Sequence, residues 1–140
     1  MKALFLPRKT DSNNPADWLL IAGEELAGVK HLISEKIAYA MCASKLAEIL
    51  EKTLKAELIR TGWQLIKIHD LVKLADELRS RDPLLADRVQ ALCESLAEKY
   101  IIGRYPGFDR EEENWNEIRV QADEVAHFLS DIQGRIATKR

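Results

Sequence analysis

Cysteine, glycine and proline are all scarce in this chain, and these shortages close off whole classes of structure. Only Cys42 and Cys93 carry thiols; they lie far apart in helix-like runs, with no Cys-x-x-Cys and no zinc-type pairing with His31, His69 or His127. A disulfide scaffold and a metal site are therefore not expected, and both thiols are expected in the core. Six glycines and four prolines among 140 residues do not fit a disordered or low-complexity chain. One-signed charge is missing too: the formal charge is −2, so any nucleic-acid site would be a local patch on a balanced surface. Long apolar runs are absent. The start, MKALFLPRKT, is closed by Pro7 well short of a signal-peptide core, and nothing approaches the roughly 20 apolar residues of a membrane span. A soluble, cytoplasmic chain with no membrane partner is the expectation.

What the chain does contain is helical periodicity. Apolar residues make up 46% and charged residues 31%, and no segment alternates with the period of a strand or repeats at a solenoid period. Residues 1–14 read as a tail and residues 15–137 as one domain. Asn14 can cap a first helix with Pro15 at its first position and Asp17 in its first turn; its stripe is Trp18, Ala22, Leu26, Val29 and Ile33, with Glu24, Glu25 and Lys30 near water. A second helix carries Ala43, Leu46, Ala47, Leu50, Leu54 and Leu58, and Gly62 suits the residue just past its end. Its other face places Lys45, Glu48, Glu51, Lys52 and Lys55 at spacings for Lys45–Glu48, Glu48–Lys52 and Glu51–Lys55 contacts. A short third helix (Leu71, Leu74, Ala75, Leu78) runs to Arg79-Ser80-Arg81. Asp82-Pro83 opens a fourth (Leu85, Val89, Leu92, Leu96, Tyr100) that Gly103 is expected to end. After the Pro106-Gly107 turn and Glu111 to Glu113, a fifth carries Trp115, Ile118, Ala122, Val125, Leu129, Ile132 and Ile136. The fold class is all-α: an up-and-down antiparallel bundle of four to five helices.

Chemistry-bearing constellations are few. Glu124-Val125-Ala126-His127 has one Glu-x-x-His step, but a di-metal bundle needs a second and two further inward glutamates. No nucleophile-elbow or phosphate-loop glycine pattern is present. The Lys45, Lys52 and Lys55 face is interrupted by Glu48 and Glu51 and reads as a self-neutralised solvated face. His69-Asp70 near a helix start can donate to backbone or ligand, or simply order the turn. Arg104 and Tyr105, beside Lys99 and Arg110, combine guanidinium forks with a ring that can stack on a base; alternatively Tyr105 and Phe108 tuck beneath their loop.

Tyr39 and Cys42, then Leu46-Ala47-x-x-Leu50-Glu51-Lys52-x-Leu54-Lys55-Ala56, then Ile68-His69-Asp70-Leu71, and finally Tyr100, Arg104, Tyr105 and Pro106, together resemble a HEPN domain over about residues 17 to 136. The resemblance implies a helical bundle that forms a homodimer and acts beside a minimal nucleotidyltransferase, in some members as half of a toxin–antitoxin pair. It also implies a nucleotide ligand, for which the candidate contacts are Lys52, Lys55, His69, Arg104 and Tyr105. The family's ribonuclease members carry an arginine four to six intervening residues before a histidine. Here Arg60 precedes His69 by eight intervening residues and Arg119 precedes His127 by seven. On a helix the latter pair is rotated about 80° apart. The expectation is therefore a nucleotide- or partner-binding module without a catalytic set. The alternative is a divergent endoribonuclease acting on RNA, in which His69 works with Arg60 or Arg104 at a dimer interface.

Overall fold

The computed structural model describes residues 12–66, 68–104 and 112–137, with residues 100–104 described by their backbone alone. These contain five helices, α1 (Pro15–Ser34), α2 (Tyr39–Arg60), α3 (Leu71–Arg81), α4 (Pro83–Arg104) and α5 (Trp115–Ala137), and no strand. Short polar side chains start most of them. Asn14 Oδ1 accepts from the Ala16 amide at 3.0 Å, Asp70 Oδ1 from the Val72 amide at 2.9 Å, and Asp82 Oδ1 from the Leu85 amide at 3.1 Å, each satisfying a donor the helix itself cannot. Asn114, which the sequence reading passed over, does the same for Glu117 of α5 at 3.0 Å. At the end of α2, Gly62 takes φ +97° and the Trp63 amide donates back to the Leu58 carbonyl at 3.0 Å, a glycine-terminated end.

Cross-helix contacts set the direction of each element. Lys30 meets Asp123 and Gly23 lies beside Gln133, so α1 and α5 run antiparallel. Glu25 meets Lys45 while Trp18 meets Lys55, so α1 and α2 do too. Arg88–Asp131 and Lys99–Glu117 make α4 and α5 antiparallel. The all-α up-and-down bundle is thus the observed architecture, with the short α3 laid against α2 and α4.

α2 is the axis of this arrangement, packing on all four other helices. Its expected solvated face is largely enclosed. Ile49, Thr53, Ala56 and Glu57 are fully buried, and Glu51 and Lys55 are buried as well. A helix surrounded by partners has no broad face left for water, so its charged residues pair inside the bundle. α4 also differs from expectation, continuing through Gly103 to Arg104. An interior glycine costs a helix only about 1 kcal/mol, too little to end one by itself.

Between α1 and α2 the chain turns through Lys36 and Ala38, both at φ +55°. That conformation costs a non-glycine residue roughly 1–2 kcal/mol. Ala38→Gly is expected to raise the unfolding free energy, by up to about 1 kcal/mol once the added chain entropy of glycine is set against the relieved strain. Urea denaturation at pH 7 measures it.

An ionic junction closes one end of the bundle. The fully buried Glu57 carboxylate accepts from Arg60 Nε at 2.6 Å and Nη2 at 2.8 Å, and from Arg135 Nη1 at 2.7 Å. Arg135 Nη1 also donates to Asp82 Oδ2 at 3.0 Å, joining α2, α5 and the start of α4. The Leu85 amide, then Arg135, hold the Asp82 carboxyl below its ordinary value. A depressed carboxyl contributes stability above the unfolded-state pKa, near pH 4, and loses it as pH falls through the lower folded value. Asp82→Asn is therefore expected to be less stable than the parent at pH 7, with the difference closing in strong acid. Thermal melts from pH 7 to pH 2 read this directly.

Candidate functional site

The side chains singled out by sequence fall into separate settings around α2. On the α1 side, Lys45 Nζ lies 3.1 Å from Glu25 and 2.7 Å from Glu48, and Lys52 Nζ donates to the same Glu25. Glu25, expected near water, is half-buried and holds α1 to α2. Burial pushes its carboxyl up, but Lys52 and Lys45 together overcome this and bring it below its ordinary value. Lys45 is raised by Glu48 first and then by Glu25, against the opposing pull of burial.

One turn away, Glu51 gathers two other groups. Its Oε2 accepts from Lys55 Nζ at 2.8 Å and lies 2.9 Å from His69 Nδ1, while Lys55 Nζ also sits 5.4 Å from the centre of the Trp18 ring. Lys55 is only 3% exposed, whereas the His69 side chain is 68% exposed. Asp70, as the cap of α3, fixes the backbone beside His69. The imidazole is thus anchored through one nitrogen and presented through the rest of its ring. It stands at a cleft of about 410 Å³ lined by Ala47, Glu51, His69, Asp70, Leu71, Ala97 and Glu98.

The structure therefore brings His69 and Lys55 together through Glu51. It places Lys52 on Glu25 instead. Arg60 belongs to the Glu57 junction, nine residues beyond Glu51 and so about 14 Å further along the helix axis. The side chain of Arg104, and Tyr105, Phe108 and Arg110 entirely, lie outside the described residues. Glu51, Glu98 and the Glu57–Arg135–Asp82 set were not marked as site residues by the sequence. Glu51 stood in a ladder pattern with Lys55, but its partner His69 is eighteen residues away and no local spacing signals that contact.

Both cysteines are core residues with no exposure. Burial pushes the Cys93 thiol up to about 12 and the Cys42 thiol up as well, so neither offers a thiolate near neutral pH. No helix among the described residues is long and apolar enough to cross a membrane.

The family model of the HEPN domain matches residues 15–132, all five helices except the last residues of α5. No curated protein and no solved structure matches the chain.

Proposed function

The chain belongs to the HEPN domain family, and from that premise we propose that it is a partner-binding helical module, acting as a homodimer beside a minimal nucleotidyltransferase as half of a toxin–antitoxin pair. One observation carries the preference for a protein partner over a nucleotide. Two of the cations expected to hold phosphate are engaged by carboxylates of their own chain: Lys52 by Glu25 and Lys55 by Glu51. A nucleotide using Lys52, Lys55, His69, Arg104 and Tyr105 would first have to draw two lysines out of these pairs, one of them from a buried position. Protein surfaces make no such demand, and large apolar side chains such as Leu20, Met41, Leu84 and Val120 stand more than half exposed. The purified chain is expected to retain a small nucleotidyltransferase from source-cell lysate and to elute with it at fixed stoichiometry. Failure to retain any contradicts the reading.

His69 supports a second reading, a divergent endoribonuclease. A carboxylate on Nδ1 and an exposed ring at a cleft are the arrangement of a positioned acid or base. Cleavage of mixed single-stranded RNA above a His69→Ala control is its test.

A further inference from the structure

The polar lining of the His69 cleft consists of acceptors. Glu51 Oε2 is taken by Lys55 and His69, but Oε1 has no partner among the described residues, although the side chain is only 10% exposed. Tyr39 Oη is the one fully enclosed side-chain polar atom among those residues that lacks a partner. Glu51 Oε1 is therefore not enclosed, and it opens on the cleft that Glu51 lines. Asp70 spends Oδ1 on the Val72 and Lys73 amides and keeps Oδ2, while Glu98 meets no cation among the described residues. His69 adds a further acceptor: a carboxylate cannot donate, so in the neutral ring Nδ1 carries the hydrogen and Nε2 the lone pair.

Charge and shape narrow the ligand. Lys55 balances Glu51, which leaves Asp70 and Glu98 as two uncompensated carboxylates. Among the described residues no three such groups converge as metal ligands, so the carboxylates address separate points, as the spaced charges of an organic cation do. Ala47, Leu71 and Ala97 supply apolar surface between them, and about 410 Å³ is a volume that small ligands fill. The matching molecule has donors only, two positive charges and a carbon chain joining them.

We propose that the His69 cleft binds a linear aliphatic diamine in its doubly protonated form, with its methylenes on Ala47, Leu71 and Ala97 and its ammonium groups on Glu51 Oε1, Asp70 and Glu98. Glu51 is the anchor, because its near-buried oxygen acts in the lowest local dielectric. The binding does not depend on the nucleotidyltransferase reading. Titration of putrescine into the full chain, followed by proton–carbon correlation spectra, tests it. The expected result is saturable shifts of the His69 ring and the Ala47 and Ala97 methyls, with the Leu84 and Val120 methyls unmoved. Asp70→Asn keeps the helix cap, since asparagine caps as well as aspartate, and Glu98→Gln is an exposed change. Each is expected to weaken binding by about fivefold, and the double variant by more than either alone. Shifts that do not saturate, an unchanged affinity in the double variant, or the same shifts from magnesium chloride at equal concentration overturn the proposal. So does equal binding of Nα-acetyl-lysine amide, whose single ammonium would assign the cleft to a lysine side chain instead of a diamine.

Discussion

Replacing Glu57 with glutamine is expected to lower the unfolding free energy by about 3 kcal/mol, the low end of what breaking a buried ion pair costs. The carboxylate is fully buried and takes three charge-assisted hydrogen bonds from Arg60 and Arg135. A glutamine keeps one acceptor oxygen and turns an NH2 group toward the second guanidinium, so attraction is replaced by a donor facing a donor. Two features hold the loss at that end of the range. Both arginines are partly exposed and can hydrate, and Arg135 keeps its contact with Asp82. Guanidinium denaturation of parent and variant measures the difference. A change under about 1 kcal/mol would mean that water replaces the carboxylate without penalty, and that the junction does not hold α2, α4 and α5 together.

Phe128→Ala is expected to cost about 4 kcal/mol, within the usual range for deleting a buried phenyl ring, because lost transfer energy and an unfilled cavity add. Phe128 is 2% exposed and among the largest enclosed side chains of the bundle. Its neighbours on α5, Val125, Leu129 and Ile132, are buried too, so little can collapse into the space. The melting temperature should fall by on the order of 10 °C. Val120→Ala, on the same helix at 54% exposure, is the matched control and is expected to stay within about 0.5 kcal/mol.

Phe128 also shows where sequence spacing is a blunt instrument. The α5 stripe in the sequence runs through Val125 and Leu129, and a ring between them sits only one helical step from that line. Periodicity locates the middle of a buried face but not its width, which depends on how many helices press against it. α2 is the stronger case. Its leucine stripe was legible, yet enclosure by four helices buries Glu51, Lys55 and Glu57, which the pattern marked polar or left unassigned. Starts with local chemistry were legible in detail: Asn14-Pro15 and Asp82-Pro83 open helices as expected. Conformation without a residue-type signal was not, since Ala38 and Lys36 adopt left-handed φ with no glycine to announce it.

The candidate site divides the same way. His69 and its family setting could be picked out because they are contiguous in sequence. What His69 touches could not, because Glu51 arrives from another helix. Nor could spacing along α2 reveal that Lys52 reaches across to Glu25 on α1. By spacing the lysine ladder is neutralised by its own helix, and the tertiary structure extends that neutralisation to a neighbouring one. A basic-looking face thereby becomes an internal clamp, which directs the functional reading toward a protein partner.

That closure of the α2 cations is most directly tested by titrating ATP and GTP into the purified chain while following its melting temperature. A ligand bound by the folded state alone raises stability with its concentration. The account predicts no rise up to millimolar nucleotide. A saturable rise that is lost in Lys52→Met would contradict it, showing that these lysines leave their carboxylates to hold phosphate.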